Sequence, residues 1–553
     1  MFCRCAESFR MRIASRLVLA VGLVALTTAP VDPVVGQVEA PAAPPVEQTG
    51  TESTEAAETL ARGVVYLDLD QDAVRDADEP GVAGVGVSNG RQIVETDEQG
   101  RYEIPVDDDT IIWVIKPRDH AVPLDRRLRP QFYYVHKPNG SPPSRFPGVA
   151  PTGPLPESID FPLIRADEPE TFRALLFGDP QPRDQTEIDF IAHDVVEELV
   201  GTDASFGVTL GDILFDDLSL FDSQADTIAL IGIPWYDIIG NHDINRDATT
   251  RRHANETFEA HYGPSYYSFD HGPVHFIALD DIDWIVPEDG SAPNYRAGLG
   301  AEQIEYVRQD LERVPDDRLV VLLMHIPLTQ IVDRQELFRL IEPRKFCLSI
   351  SGHTHHHEHR YVTEADGWRG AEPHHHVINV TVSGSWWSGV MDDRGIPHTT
   401  MADGAPNGYT IIEFDGTEYR LDYKAAGRPA DYQMRITVAE QVGADEQATV
   451  WTNVFNGSER TTVELRIGDS RDWWPMTRSI EIDPAYAALY EKDRALTVRE
   501  RPALAAPKPS PHLWKLALPA GLKPGTQLIH VRATDEQGRV FEACRVVRIA
   551  APE

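Results

Sequence analysis

The sequence predicts an α/β domain flanked by two all-β sandwich domains. Three observations carry that prediction. Between residues 170 and 360, short apolar runs alternate with stretches of helical spacing; five of those runs end in a polar cluster; and on both sides strand-length runs follow one another across turn residues.

From the N-terminus, Arg4, Arg10, Arg12 and Arg16 precede the apolar run 17–26, and Thr27-Thr28-Ala29 follows it, the three regions of a signal peptide over residues 1–29. The run is short for a membrane span and no later segment approaches one, so a periplasmic or secreted chain without a transmembrane anchor is expected. Residues 30–60, rich in Ala, Pro, Glu and Thr without periodicity, read as a flexible linker. Over 61–165 the runs 63–67, 84–88, 91–96, 101–105 and 110–115 predict a small β-sandwich. Inside it Asp68, Asp70, Asp72, Asp76 and Glu79 occupy the first, third, fifth, ninth and twelfth positions of a calcium-loop pattern, which favours a structural Ca²⁺. Ala73 stands where such loops carry glycine and no helical pattern precedes Asp68, so a loop between strands is the expected setting. A solvated acidic turn is the plainer alternative.

The α/β part spans 170–426. Runs 174–177, 206–210, 235–239, 319–323 and 347–350 read as buried strands, and 188–200 and 302–311 as helices. Asp179-Pro180-Gln181, Gly211-Asp212, Gly240-Asn241-His242-Asp243, Met324-His325 and Gly352-His353-Thr354-His355 follow the strands, so their donors converge on one sheet edge. Carboxylates, an amide oxygen and imidazoles suit divalent Mn, Zn, Fe or Mg, and a carboxylate such as Asp212 can bridge two ions roughly 3.5–4 Å apart. Such a pair acidifies a bound water and clamps phosphoryl oxygens, which makes a phosphoester the natural substrate.

In order and spacing these five pieces resemble the signature of the calcineurin-like metallophosphoesterases, D-x-H, G-D-x-x-D, G-N-H-[DE], H and G-H-x-H. The resemblance implies a hydrolase with that family's four-layer α/β/β/α sandwich, here between an N-terminal Ig-like module and a C-terminal β-domain as in some secreted members. It implies Asp179 and His355 at a first metal, Asp212 as the bridge, and Asn241, His325 and His353 at a second, with Mn the leading expectation. A hydroxide between the metals would attack, while His242 would face the substrate and protonate the leaving group, with Asp243 adjusting its orientation and pKa. Gln181 departs from the histidine of D-x-H; an amide oxygen is a weaker donor than imidazole, and Gln181 stays a candidate ligand. The next carboxylate after Asp212 also comes one residue late, at Asp216, where a loop residue rather than a ligand is expected.

Beyond the last motif, 376–382, 408–414 and 418–423 read as strands completing the second sheet. Trp386 and Trp387 are candidates for an aromatic wall around the substrate, and Asp403 and Asn407 for hydrogen bonds to it; core packing is the rival reading. His356, His357, His359 and the run 374–376 read as surface or strand residues, not ligands. From 427 to 553 the runs 433–438, 449–455, 461–467, 526–532 and 540–549 predict a second β-sandwich, in which 510–514 is a packing feature. Cys347 and Cys544 are expected to be buried strand thiols rather than a disulfide.

At 553 residues, 41% hydrophobic and 8% aromatic, the chain has room for several globular domains. A net charge of −37 argues against broad nucleic-acid binding, because a polyanion is repelled over most of the surface. The sequence therefore points to a dinuclear-metal phosphoesterase acting on a small phosphoester, a diester slightly ahead of a monoester or nucleotide. The reading from another class is an envelope- or carbohydrate-binding protein with a degenerate hydrolase domain, and the retained Asn241, His242, His325 and His355 weigh against it. The oligomeric state leaves no mark in the sequence.

Overall fold

Strands rich in Val, Leu, Ile and Phe, buried on both faces, fill the centre of two mixed sheets. The computed structural model describes residues 59–397, 399–443, 447–519 and 521–551; the expected signal peptide and the expected linker up to residue 58 lie outside the described residues. β1 (Thr171–Phe177), β2 (Phe206–Leu210) and β3 (Trp235–Ile238) run parallel in the first sheet. β4 (Tyr267–His271), β5 (Val274–Ala278), β6 (Leu319–Leu323), β7 (Cys347–Ser351), β8 (Glu358–Val362) and β9 (His374–Ile378) form the second, in the order β4-β5-β6-β7-β9-β8. Its central strands β5, β6, β7 and β9 are parallel, as expected of a sheet covered on both faces.

The last two strands correct an expectation. β10 (Gly408–Asp415) and β11 (Glu418–Ala425) do not complete the second sheet; they extend the first, in the order β3-β2-β1-β10-β11. β10 lies antiparallel along β1 with Ile412 opposite Ala174, and Phe414 stacks on Phe172 at 4.9 Å, so the register is set by burying that aromatic pair.

The two sheets meet through aromatic side chains, with Phe206 against Phe276 at 5.4 Å and Tyr236 flat on Phe269 at 4.0 Å. Outside the first sheet, α1 (Gln185–Ile191) and α2 (Phe221–Ile228) bury Phe190, Ile191 and Ile228 with Leu175, Phe177 and Trp235. α1 starts where Asp184 accepts the backbone N–H of Glu187 at 3.0 Å, and the chain continues helically to Leu199. Against the second sheet, α3 (Ala301–Arg313) and α4 (Arg334–Ile341) bury Val307, Leu311, Leu337 and Phe338.

N-terminal to β1, two four-stranded sheets hold Leu60–Leu67, Arg101–Pro105, Phe161–Arg165 and His120–Ala121 in one and Gly86–Ser88, Ile93–Glu95, Thr110–Val114 and Tyr133–His136 in the other. Their core is continuous with that of the α/β part: Trp113 packs on Tyr306 of α3 at 5.6 Å, and Gln309 of α3 accepts the Ile93 N–H at 3.0 Å. C-terminal to β11, a four-stranded and a five-stranded sheet enclose a separate core around Trp514, Leu465 and Val531.

This last region is not all β. Helix Pro484–Arg494 interrupts it because Asp483 caps the N–H groups of Ala485 and Tyr486, proline sits in the first turn and helix formers follow. The two thiols are free and lie in strands, but they are less buried than expected: Cys347 is half-buried and Cys544 is exposed on an outward-facing position of its strand.

One ionic triad ties the second sheet to its helix. His275 on β5 places Nδ1 2.8 Å from Asp270 on β4 and Nε2 2.9 Å from Asp310 on α3. Burial alone lowers the imidazole pKa, but Asp310 and Asp270 outweigh it and raise it to about 9. This stabilisation is complete below the unfolded pKa of roughly 6.5 and is lost as pH rises through about 9. His275→Ala is expected to cost about 3–5 kcal/mol by stranding the buried Asp310 carboxylate, while Asp270 keeps Arg318 at 2.9 Å. Denaturant melts from pH 6 to 10 check both points: the wild-type decline over that range should be largely absent from the variant.

Candidate metal centre

The loops after β1, β2, β3, β6 and β7 meet at one edge of the two sheets. His325, after β6, holds Nε2 3.1 Å from Asn241 Oδ1, 3.2 Å from His353 Nδ1 and 3.3 Å from Asp212 Oδ1, so four donors from four loops face one point. Beside them, Asp179 Oδ1 lies 3.5 Å from His355 Nε2, and the amide nitrogen of Gln181 donates to Asp212 Oδ2 at 2.5 Å. Asp212 thus turns one oxygen to each group. Asp179, Gln181, Asp212, Asn241, His325 and His355 are buried, and His353 is half-buried.

Local backbone geometry explains the convergence. Asp179, Gln181, Asp212, His353 and His355 all take left-handed φ values between 41° and 73°, a conformation costing a non-glycine residue roughly 1–2 kcal/mol and held only where surroundings over-determine it. Here the His353 N–H bonds both Asp179 oxygens at 3.1 and 2.9 Å. A Cβ on Gly352 would come within 2.5 Å of the Asp179 carboxylate, and one on Gly240 within 2.1 Å of the Asp212 nitrogen, so both glycines allow two loops to touch.

Ring orientation and charge are set as well. His325 Nδ1 lies 2.8 Å from the Leu210 carbonyl and His355 Nδ1 2.6 Å from that of Gly384, which turns each Nε2 inward. Burial pushes His355 down to about 3 and His353 to about 4, keeping both imidazoles neutral. Burial also opposes charge on His325, but Asp212, Asp179 and Asp281 prevail and raise it to about 10. Asp179 is pushed up to about 7 by burial and by the neighbouring Asp212. Asp212 stays below the usual carboxylate range, because His325 and His242 overcome the effect of burial.

The donor set fits divalent cations. It combines carboxylates, imidazoles and amide oxygens, and Gln181 Oε1 is buried with no hydrogen-bond partner, a situation that costs roughly 1–3 kcal/mol unless something electropositive meets it. His242 stands at the edge of this set: its N–H bonds Asp212 at 2.9 Å and its ring stacks on Phe215 at 4.7 Å.

Comparison with known families settles kinship. Three family models match in succession, the N terminal of Calcineurin-like phosphoesterase over residues 69–146, Calcineurin-like phosphoesterase over 172–357 and the C terminal of Calcineurin-like phosphoesterase over 376–541. The chain belongs to the calcineurin-like phosphoesterases. A search of curated proteins finds no match. Among solved structures, purple acid phosphatase PPD1 from yellow lupin (Lupinus luteus) seeds is 13% identical with a TM-score of 0.34, over 66% of this chain and 66% of the lupin one. Superoxide reductase (Neelaredoxin) from Ignicoccus hospitalis is 13% identical with a TM-score of 0.13, over 21% of this chain and 80% of that one. Neither likeness carries an argument at those scores.

Several residue assignments for this phosphoesterase need correction. Asp243 does not orient His242: its carboxylate accepts the N–H groups of Gly240, Ile213 and Leu214 at 2.9–3.1 Å and buckles two loops together. The carboxylate beside His242 is that of Asp216, 2.7 Å from Nδ1, with Arg246 2.7 Å from the same oxygen. Its late position in Gly211-Asp212-Ile-Leu-Phe-Asp216, with φ at 73°, swings it toward the imidazole. Of the tryptophan pair, only Trp386 faces the centre, its ring 4.2 Å from that of His355; Trp387 is fully buried against Phe190 and bonds the Pro180 carbonyl at 2.9 Å. Asp403 and Asn407 are buried and spent internally, Asp403 on His512 Nε2 at 3.0 Å and the His357 N–H at 2.9 Å, Asn407 on Asp194 at 2.8 Å. Of the two expectations for His357, His359 and His374 to His376, the strand one holds: they are buried in or beside β8 and β9.

After strand Leu60–Leu67, Asp68, Asp70 and Asp72 bring one oxygen each within 4.8 Å of one another. Asp68 accepts the N–H groups of Gln71 and Ala73, and Glu79 those of Leu69 and Asp76, so Asp76 contributes its backbone there. Ala73 takes φ 60°, the conformation that glycine supplies in such loops.

If Gln181 Oε1 meets a cation, Gln181→Ala should weaken the first divalent site about tenfold and Gln181→His should strengthen it. Calorimetric Mn²⁺ titration of the three proteins checks this; equal affinities would mean that the amide does not coordinate.

Proposed function

We propose that this phosphoesterase is a periplasmic or secreted enzyme using two divalent ions, Mn ahead of Zn, Fe or Mg, to hydrolyse a small phosphoester, a diester before a monoester. In this reading a four-layer α/β/β/α domain at 170–426 sits between an Ig-like sandwich at 61–165 and a C-terminal β-domain at 427–553. The observation that carries it is the crowding of Asp212, Asn241 and His353 around His325 Nε2, at 3.1–3.3 Å, from loops after three other strands.

Asp179, His355 and Gln181 would hold the first ion, Asn241, His325 and His353 the second, and Asp212 both. Bound there, the ions supply an acidified water and neutralise charge on the phosphoryl oxygens. The chain's own part is positioning and proton transfer. His242 has Nδ1 engaged by Asp216 at 2.7 Å, which leaves Nε2 to protonate the leaving-group oxygen. Burial opposes a charged ring, but Asp212 and Asp216 outweigh it and raise the pKa, so His242 enters as the acid. Phe215 on His242 and Trp386 on His355 hold both imidazoles flat against apolar surface. Two nearby guanidinium groups are already paired, Arg183 with Glu187 and Arg246 with Asp216. Neither guanidinium is therefore free to meet the extra negative charge of a monoester, which supports the diester.

Hydrolysis of an aryl phosphodiester and its monoester by the Mn²⁺-loaded chain, with Asp212→Ala as background, tests this. The diester should have the higher kcat/KM. Monoester preference would overturn the substrate choice, and no turnover of either with metal bound would overturn the enzyme reading. Asp216→Asn should lower the His242 pKa and move the alkaline limb of the kcat profile down by about one pH unit. A limb that moves with Asp243→Asn instead would restore the role that the sequence suggested for Asp243.

A further inference from the structure

A strap from the C-terminal region crosses the rim of the metal centre. After helix Pro484–Arg494 the chain returns over the α/β part. Arg501 ion-pairs with Glu187 at 3.2 Å and lies 4.7 Å over the Phe190 ring, and the Pro502 carbonyl accepts the Gly389 N–H at 2.9 Å. Leu504 is buried with Ala402 and Tyr486, the Lys508 N–H bonds the Ala402 carbonyl at 2.9 Å, and Pro509 and Ser510 pair with Ile482 and Glu481. The backbone at Lys508 is therefore anchored on both sides, while its side chain is exposed.

The Lys508 ammonium lies 3.3 Å from the carbonyl of Thr354, the residue between His353 and His355. Among the described residues no carboxylate is within ion-pairing distance of it, in a chain with 88 acidic and 51 basic side chains. Arg183 and Arg246, at the same centre, both have carboxylate partners. The overall field of this chain repels anions, so an unpaired cation beside the ligands is local attraction for one. Lys508 reaches the loop of His353 and His355, whereas the proton donor His242 follows β3 and pairs with Asp216.

We propose that Lys508 is a substrate-binding residue that selects phosphoesters carrying a second negative charge, on the ester group that is retained when the His242-side group leaves. The substrate class is accordingly an anionic phosphodiester, with a carboxylate or further phosphate beyond the reacting phosphorus. This deepens the phosphoesterase reading and rests on it.

The test uses the full Mn²⁺-loaded chain and two esters, 4-nitrophenyl phenyl phosphate and its counterpart with a carboxylate on the unsubstituted ring. The carboxylated ester should show a KM about fivefold to tenfold lower at similar kcat, an advantage that shrinks as ionic strength rises because the ammonium is exposed. Lys508→Ala should remove that advantage, with a smaller change in the constants for the ester that lacks the carboxylate and none in the melting temperature, and Lys508→Arg should restore it. An unchanged preference in Lys508→Ala, or no preference in the wild type, overturns the proposal. Calorimetry with phenylphosphonate and 4-carboxyphenylphosphonate separates the two readings. Lys508-dependent selectivity in binding without ester turnover would uphold the anion site while the phosphoesterase reading fails, and equal binding of the two phosphonates would reject the anion site.

Discussion

Asp212 is the constraint around which the centre is built. A fully buried carboxylate is costly to ionise, and this one is kept ionised by what surrounds it: the His325 imidazole at 3.3 Å, the His242 N–H at 2.9 Å and the Gln181 amide at 2.5 Å. Those partners come from loops after β6, β3 and β1, so they can meet only if both sheets bring the C-terminal ends of these strands to one edge. Parallel neighbours β1, β2 and β3 do this in the first sheet, and β6 and β7 in the second. The aromatic interface, with Phe206, Phe269, Phe276 and Tyr236 interlocked, holds the two edges in register. Left-handed backbone at five polar site residues is the local strain that this framework sustains.

The parts of this arrangement legible in the sequence are those encoded in contiguous residues. β2 and β6 lie at the predicted bounds, and β1, β3 and β7 differ by a few residues at their ends, because an unbroken apolar run with a glycine-bearing polar cluster after it has few other readings. The β4–β5 hairpin was not anticipated, although Tyr267-Ser-Phe269-Asp-His271 before Gly272-Pro273 carries strand alternation around a turn. His275, within β5, interrupts the apolar pattern because it is an ionic link to α3. The side-chain roles that failed are those decided by rotamer and long-range partner. Asp243 adjoins His242 in the chain while Asp216 precedes it by 26 residues, and only the fold shows that backbone N–H groups claim the first and that the second meets the imidazole. Trp386 and Trp387 are neighbours, yet left-handed φ at both sends one ring onto His355 and the other into the core.

The C-terminal region is better understood as part of the centre than as an appendage to it. His512 Nε2 meets Asp403 at 3.0 Å and its Nδ1 meets Asn453 at 2.8 Å, with His512 and Asp403 completely buried. Asp403 in turn accepts the N–H of His357, two residues after His355, at 2.9 Å. The polar link therefore runs from a strand of the C-terminal sheet to the loop that carries His353 and His355. Removing His512 would leave the buried Asp403 carboxylate short of a partner at a cost of about 3–5 kcal/mol, so the link fixes how the two regions meet. The strap that ends in Lys508 makes a second crossing beside the same loop. Two independent attachments to one loop limit its freedom from both sides. A loop whose ligand-bearing residues already adopt strained backbone needs such restraint to keep its imidazoles aimed at Asp212 and Asp179.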